Sequence, residues 1–341
     1  MADAERARPI EDVHDISAIT YGFMASKALF AALEFDLFTH IGQGADTTRA
    51  EVTGVAENRL ITLLAALKSL GLVSEAGGRL VNAPATSKYL IAGAPADFRD
   101  YVQFVNGAFG YESFRHLDMA LRGERVFPDK GFYEGLVYEA GIGGERFSSA
   151  QHSGSLGPAR LMAKRVDLKD RRKLLDVGGG SGAYSIAFCV ANPQLSATIL
   201  DFPQTVDTAK RYAREAGFAD RIANLAGNAI AVDWPDGHDV VLMSYIWSAV
   251  GEAGIAILAK RAAAALPPGG LLLVHDFMVD EAREGPRFAA WYLLGGMLDN
   301  PSAVCLTPAY VERVLRDAGF RVEKTEVMLP GIMMLTKAVK A

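Results

Sequence analysis

The chain has 341 residues, of which 50% are hydrophobic and 22% are charged, so it can bury a sizeable core and wholesale disorder is not expected. Its formal net charge is −5, and no Lys/Arg cluster is interleaved with aromatic residues, which disfavours a nucleic-acid substrate. The polar N-terminus lacks a signal-peptide core and no run approaches 18 apolar residues, so we expect a soluble, cytoplasmic protein without a membrane span.

The first hundred residues predict a helical module followed by a β-hairpin. Apolar spacing predicts a helix over residues 16–41 and two short helices within residues 47–72. Residues 75–81 predict a hairpin with a Gly-Gly turn. This order is typical of a winged helix, but the third helix carries only Arg59 and Lys68 as cations, which is few for phosphate contacts. We therefore expect this module to mediate dimerisation.

The middle of the chain is rich in aromatic residues and glycines, between residues 101 and 146. Such residues serve either as ordinary core or as a pocket wall, and a helix is predicted from Arg146 to about Val166. These features suggest three parts. Residues 1–110 would form a dimerisation domain, residues 111–165 a helical linker that contributes to the substrate pocket, and residues 166–341 an α/β domain that binds a cofactor.

The stretch from Leu174 to Gly182 organises the α/β domain, because it predicts a buried strand, a tight glycine turn and a helix. Glycine lets a ligand approach the backbone closely, and the helix N-terminus offers N–H groups to an anion. Gly178, Gly180 and Ala183 match a dinucleotide fingerprint. Asp176 favours S-adenosylmethionine (SAM) instead, since its carboxylate suits the ammonium group of SAM. A glycine turn without a ligand is the third alternative.

Segments after this stretch alternate as an α/β sheet requires. Four further strands are predicted after the glycine stretch, at residues 197–201, 222–226, 239–245 and 271–275. Helices are predicted between and after them, at residues 185–192, 204–217, 254–266 and 308–319. Two antiparallel strands are predicted to complete the chain, at residues 321–327 and 332–337.

Five motifs carry a family resemblance. They are AALEFDLFTHI (31–41), LLDVGGGSGAYS (174–185), ILDFPQTV (199–206), LPPGGLLLVHDFMVDE (266–281) and LTPAYVERVLRDAGF (306–320). With these motifs, nearly the whole chain resembles the small-molecule O-methyltransferases of the caffeate, acetylserotonin and hydroxyneurosporene type. The resemblance implies an α/β fold, with a class I SAM-dependent (Rossmann-like) C-terminal domain. It also implies an α-helical, winged-helix-like N-terminal dimerisation domain and a homodimer.

The resemblance further implies which residues hold SAM: Asp176, Gly178, Gly180, Asp201, Phe202, Asn228, Ala229 and Ser244. Asp201 should accept hydrogen bonds from both ribose hydroxyls, and Phe202 should flank the adenine. The family usually has Gly-Asp near the adenine edge, where this chain has Gly227-Asn228. An Asn side chain both donates and accepts, so adenine binding should survive. Ser244 should lie close to the carboxylate or the sulfonium of SAM.

The chain departs from the family at the general base. The family reads approximately S-x-(I/V)-L-H-D-W-S-D-E, and its His removes the proton of the acceptor hydroxyl. Here residues 244–252 read SYIWSAVGE, which places Ser248 where the His belongs. A serine hydroxyl is not a base near pH 7. His152 and His275 are candidate replacements at other positions, and Tyr245, beside the motif, is a further candidate for the catalytic machinery.

The missing base favours S- or C-methylation, because a thioether has no proton to lose. Two precedents fit, namely the bacterial S-methyltransferase acting on 4-methylthio-2-hydroxybutyrate in dimethylsulfoniopropionate synthesis, and the bacteriochlorophyll ring C-methyltransferase. We expect the first. An O-methyltransferase with a relocated base, a SAM-binding regulator without catalysis and a NAD-linked oxidoreductase stay open.

The residues expected to line the substrate pocket lie on the predicted helices and after the predicted strands: Tyr138, Arg146, Phe147, Gln151, His152, Tyr245, Trp247, Met297 and Asn300. A substrate carboxylate would be bound by Arg146, His152, Tyr138 or Tyr245. No cluster of His, Cys, Asp or Glu has metal-ligand spacing, so we expect no metal and turnover in excess chelator.

Overall fold

A computed structural model describes residues 9–45, 50–127, 133, 135 and 144–341 of the chain. These residues form two compact units, and the boundary between the units falls at Glu112 and Ser113.

The N-terminal unit consists of short helices and one hairpin. Its elements are α1 (Val13–Thr20), α2 (Gly22–Glu34), α3 (Leu37–Gly42), α4 (Ala50–Thr53), α5 (Glu57–Ser69), β1 (Val73–Ala76), β2 (Arg79–Asn82), α6 (Pro84–Tyr89) and a π-helix (Tyr101–Tyr111). The predicted hairpin is confirmed, since β1 and β2 pair antiparallel across Gly77 and Gly78. The predicted long helix is wrong in one respect, because it is broken at Tyr21 and again at Asp36, whose φ is 49°.

The same region contains a stretch that could span a membrane by length and composition alone. Among the described residues, Val13–Glu34 has a mean hydropathy of 1.4 over its most apolar window, and 11% of that window is buried. We expected no such stretch from the sequence, because polar residues such as Ser17, Thr20 and Ser26 interrupt the apolar run. Core helices and signal sequences meet the same criterion.

The C-terminal unit alternates helices and strands. Its elements are a 3₁₀ turn (Phe114–His116), α7 (Leu117–Leu121), α8 (Gly144–Arg165), β3 (Lys173–Val177), α9 (Ala183–Ala191), β4 (Ser196–Asp201), a second 3₁₀ turn (Pro203–Thr205), α10 (Val206–Glu215), β5 (Ile222–Ala226), β6 (Val240–Ser244), α11 (Trp247–Ala265), β7 (Leu271–Asp276), α12 (Arg287–Asp299), α13 (Pro308–Asp317), β8 (Phe320–Leu329) and β9 (Met333–Lys340).

The C-terminal unit contains a seven-stranded sheet with the strand order β5-β4-β3-β6-β7-β9-β8. The first five strands of that order are parallel, and β9 runs antiparallel to both β7 and β8. Alternate residues face opposite sides, so Leu175 and Val177 pack in one apolar cluster while Leu174 packs in the other. The chain order reverses between β3 and β6, and ligands of open α/β sheets bind beyond the carboxyl ends of the strands at such a point.

Two features of this unit differ from the sequence expectation. Helix α11 begins at Trp247, although a start at residue 254 was expected, and it is kinked at Gly251, whose φ is 68° and ψ is 174°. A Cβ at Gly251 would lie 2.7 Å from Nδ2 of Asn300, so only glycine fits there. Helix α12 was not predicted, since Gly295 and Gly296 within it obscure the helical pattern.

Candidate functional site

The glycine turn after β3 has the close-approach geometry that its sequence predicts. Gly178, Gly180 and Gly182 have φ values of 69°, 53° and 80°, which side-chain-bearing residues rarely adopt. A Cβ at Gly179 would lie 2.9 Å from Oδ2 of Asp176. The turn therefore presents bare backbone beside a carboxyl group.

Two carboxyl groups flank this turn near the ends of β3 and β4, and Asp176 is buried whereas Asp201 is half-buried. Asp176 accepts a hydrogen bond from Oγ of Ser185 at 2.7 Å. Asp201 accepts bonds from the N–H groups of Gly180 and Phe202, both at 2.6 Å. Burial raises the pKa of each carboxyl to about 6. Both groups are thus oriented and poorly hydrated, and each has lone pairs left, which fits the ammonium group and the ribose hydroxyls of SAM.

The turn after β5 holds the residues expected near the adenine. Oδ1 of Asn228 accepts a hydrogen bond from the N–H of Ile230 at 3.1 Å, so this oxygen already closes a local turn. Ala229 is buried, and Phe202 is half-buried beside Asp201. These three residues follow the neighbouring strands β4 and β5, which end at the same edge of the sheet.

A second polar cluster lies where β6 and β7 end. Nδ1 of His275 is 2.9 Å from Oγ of Ser244 and 3.3 Å from the hydroxyl oxygen of Tyr184. His275 is fully buried, and its Nε2 has no hydrogen-bond partner among the described residues. Burial lowers the pKa of His275 to about 3, so the imidazole is neutral at neutral pH and is a weak base.

Aromatic rings surround this second cluster. Tyr245 has a φ of 61°, and its ring centroid is 5.6 Å from that of His275 and 5.5 Å from that of Phe277. Phe277 stacks on Tyr292 with a centroid distance of 3.6 Å. Aromatic side chains therefore pack around His275 at the ends of β6 and β7.

Ser248, the residue that the resemblance predicts at the family's base position, is buried. Its backbone N–H donates to Oδ2 of Asp276 at 3.2 Å. Asp276 is fully buried, and burial raises its pKa to about 6. A Cβ at Gly296 would lie 2.7 Å from the carbonyl oxygen of Ser248, so α12 packs directly on this backbone. Residue 248 therefore lies beside a carboxyl group but has no basic atom of its own.

His152 lies against the glycine turn. Its Nδ1 is 2.8 Å from Oγ of Ser181, and its ring stacks on Tyr212 with centroids 3.7 Å apart and planes 2° from parallel. Burial, together with the charges of Arg211 and Arg160, lowers the pKa of His152 to about 4. A His with this pKa is neutral under ordinary assay conditions.

The remaining residues expected in the substrate pocket differ in exposure. Arg146 is exposed, Phe147 and Trp247 are buried, and the half-buried members are Gln151, Met297 and Asn300. Trp247 belongs to the apolar core, and its Nε1 contacts Sδ of Met243 at 3.4 Å. Tyr138 lies outside the described residues. The substrate contacts of all these residues stay predictions.

Several residues of the site were not expected from the sequence: Ser181, Tyr184, Ser185, Tyr212, Asp276, Phe277 and Tyr292. The hydroxyl of Ser181 within the glycine run was a usable signal, as was the carboxyl of Asp276 at a strand end. Tyr212 gave no signal, because it meets His152 only through the packing of α8 against α10. Among the described residues, no group of three His, Cys, Asp or Glu side chains could hold a metal ion.

Comparisons with known proteins agree with this geometry. The family described as "O-methyltransferase domain" matches residues 115–321. The chain is 31% identical to the 3-hydroxy-5-methyl-1-naphthoate 3-O-methyltransferase of Streptomyces sahachiroi, over 96% of this chain and 95% of that protein. It is 27% identical to the bacteriochlorophyllide d C-20 methyltransferase of Chlorobaculum tepidum, over 88% and 89%. The crystal structure of human N-acetylserotonin methyltransferase in complex with SAM superposes with a TM-score of 0.85, at 24% identity and over 98% and 99% of the two chains.

The fold is therefore that of a class I SAM-dependent methyltransferase, as the sequence predicted. The chain belongs to the O-methyltransferase family, whose members transfer the methyl group of SAM to small molecules.

Proposed function

We propose that the protein transfers a methyl group to the sulfur atom of a small thioether acid, 4-methylthio-2-hydroxybutyrate. The proposal rests on residue 248, a buried serine that the family resemblance aligns with the position expected for the proton-removing His. A thioether sulfur attacks with a lone pair and releases no proton, so this acceptor needs no base. A hydroxyl acceptor without a base would lose roughly 10²–10⁴-fold in rate.

The two histidines of the site support the same conclusion. His152 is bonded to Ser181 and stacked on Tyr212, and His275 is buried beside Ser244. Burial lowers the pKa of both imidazoles, to about 4 and about 3. A base with such a pKa removes a phenol or alcohol proton poorly near pH 7. These positions therefore offer no efficient substitute for the missing base.

We further propose the cofactor contacts that the sequence implied. When bound, SAM supplies an electrophilic methyl group. Asp176 would hold its ammonium group and Asp201 its ribose hydroxyls, since Asp176 is buried beside the glycine turn and Asp201 accepts a hydrogen bond from Gly180 in that turn. The other contacts would come from the turns that follow β3, β4 and β5 and from the last residue of β6: Gly178, Gly180, Phe202, Asn228, Ala229 and Ser244.

The chain's remaining task is to align the acceptor and exclude water. The rings of Tyr245, Phe277 and Tyr292 would enclose the positive charge that passes from donor to product. Arg146 or Tyr245 would bind the carboxylate of the acid.

C-methylation of an electron-rich ring is the second candidate. The observation in its favour is the similarity over 88% of this chain to a C-20 methyltransferase. A ring carbon attacks before it loses its proton, so a base at residue 248 is also dispensable for that step.

Turnover assays separate these candidates. Purified protein is incubated with SAM and either 4-methylthio-2-hydroxybutyrate, a catechol or a chlorin, and S-adenosylhomocysteine (SAH) formation is measured. The proposal predicts turnover on the thioether, changed less than about twofold by Ser248→Ala because Ser248 moves no proton. Turnover only on the chlorin would support C-methylation, and turnover on the catechol would refute both.

We also propose that the protein is a cytoplasmic homodimer formed through the N-terminal unit. Val13, Ile16, Ile19, Phe23 and Met24 are exposed apolar side chains on α1 and α2. An apolar face of this kind is stabilised when a second copy covers it.

A further inference from the structure

The side chain of His152 on α8 contacts both the glycine turn that follows β3 and helix α10, which follows β4. Nδ1 of His152 is 2.8 Å from Oγ of Ser181 in the glycine turn, and the His152 ring lies on the ring of Tyr212 in α10. Residue 152 lies 29 residues before Ser181 and 60 before Tyr212 along the chain, so only the packed fold brings them together.

We propose that His152 is a positioning residue for the cofactor, which fixes the glycine turn relative to α10 by bonding Ser181 and stacking on Tyr212. This inference rests on the cofactor contacts proposed above. It gives His152 a role that differs from both the base and the substrate contact expected from the sequence.

The position of Ser181 matters because its neighbour in the chain bonds to the proposed ribose ligand. The N–H of Gly180 donates to Oδ2 of Asp201 at 2.6 Å. A shift of Ser181 would therefore move the amide that orients the Asp201 carboxylate. The same turn presents Gly179 against Asp176, so both carboxyl groups depend on the placement of this turn.

The contact between α8 and α10 has a second, polar component. Arg211 donates to Oγ of Ser149 at 3.0 Å, forms an ion pair with Glu145 at 3.3 Å and lies 4.6 Å from the centroid of the Tyr212 ring. Glu145, Ser149 and His152 lie on one helix, so they present a continuous face to α10. The Tyr212 ring therefore contacts both Arg211 and His152.

Neutral imidazole suits this positioning role. With burial and Arg211 both lowering its pKa, His152 keeps one acceptor nitrogen and one donor nitrogen throughout ordinary assay conditions. The bond to Ser181 therefore does not change with pH near neutrality, unlike that of a His acting as a base.

The test uses full-length protein and SAH binding measured by calorimetry, which requires no acceptor. His152→Phe keeps a ring on Tyr212 but removes the bond, Ser181→Ala removes the partner, and His152→Asn places a polar atom near the position of Nδ1. Ser153→Ala is the matched control on α8, because the hydroxyl of Ser153 bonds only to the carbonyl of Ala150 in its own helix, at 2.8 Å.

We expect H152F and S181A each to raise the Kd for SAH about threefold to tenfold, the range for loss of one neutral hydrogen bond. The double variant should bind no more weakly than either single variant, because both remove the same bond. H152N should recover at least half of the loss on a logarithmic scale, and S153A should bind like the wild type. The ratio of the variant Kd to the wild-type Kd should be constant between pH 5.5 and 8.5.

Three results would overturn the inference. They are wild-type affinity in H152F, multiplicative losses in the double variant, and a Kd ratio that changes with pH across neutrality. If the wild type itself fails to bind SAH, the proposed cofactor site is wrong. If the wild type binds SAH but not the thioether acid, only the proposed acceptor is wrong.

Discussion

Acidification is expected to weaken cofactor binding because two carboxyl groups must be ionised to hold it. Burial keeps the pKa of Asp176 and Asp201 at about 6, well above the ordinary 3.8. The raised pKa means that each group is charged above pH 6 and neutral below it. A neutral carboxyl loses its attraction for an ammonium group and accepts ribose hydrogen bonds less strongly, so affinity falls as the pH falls through 6.

The magnitude follows from the ionised fraction. At pH 5 a carboxyl with a pKa of about 6 is roughly 9% ionised, so the apparent Kd rises about 11-fold for one such group. Two independent groups would give about 120-fold. The charge of Asp201 raises the pKa of Asp176, so protonation of one group eases ionisation of the other and the observed loss falls between these values. At pH 7.5 the loss is about 1.1-fold at most.

Calorimetric titration with SAH from pH 7.5 to pH 5 measures this dependence. Asp201→Asn should weaken binding at pH 7.5 and reduce the change between pH 7.5 and pH 5 to less than about 11-fold, since one titrating group remains and it loses the charge that raised its pKa. Asp220→Asn, which changes an exposed carboxyl, should retain the full dependence. A Kd that is constant from pH 7.5 to pH 5, with the protein still folded by near-UV circular dichroism, would refute the reasoning.

Two further predictions concern residue 248 and the N-terminal unit. Ser248→His should place an imidazole beside the buried Asp276 and increase turnover of a catechol on the order of 10²-fold, a gain that Asp276→Asn should abolish; no gain in a variant that still binds SAH would contradict this. Ile16→Glu with Ile19→Glu should convert a dimer to a monomer in light scattering, whereas Ala18→Glu, on another side of α1, should leave the dimer intact. A monomeric wild type that sediments with lipid vesicles would instead assign this apolar face to a membrane surface.

The sequence predicted the sheet well because each strand has a simple local signal. The run from Leu174 to Val177 is continuously apolar apart from Asp176, and glycine follows at once. Such a pattern is typical of a strand buried on both faces. The helices were harder to predict, because Tyr21 and Asp36 interrupt α1–α3 without disturbing the apolar spacing, and Gly251 conceals the first turn of α11.

The site was predictable only where its residues are close in sequence. Asp176 and the glycines lie within one motif, and the replacement at Ser248 was visible against the family pattern. The contact of His152 with Tyr212 depends on how α8 packs, which no local pattern encodes. The direction of the Trp247 side chain at a helix start depends on tertiary packing; the structure packs it in the apolar core, and its contact with the substrate stays a prediction.

The withdrawal of Asp176 from water has a consequence for the lifetime of the enzyme in a cell. An ionised carboxylate buried without a cation destabilises the folded chain at neutral pH, and a bound cation offsets that penalty. Folding is thereby linked to methyl-donor supply, because a ligand that binds only the folded state lowers the fraction of unfolded molecules. Proteases degrade mainly that unfolded fraction, so the abundance of this enzyme should follow the concentration of its own donor.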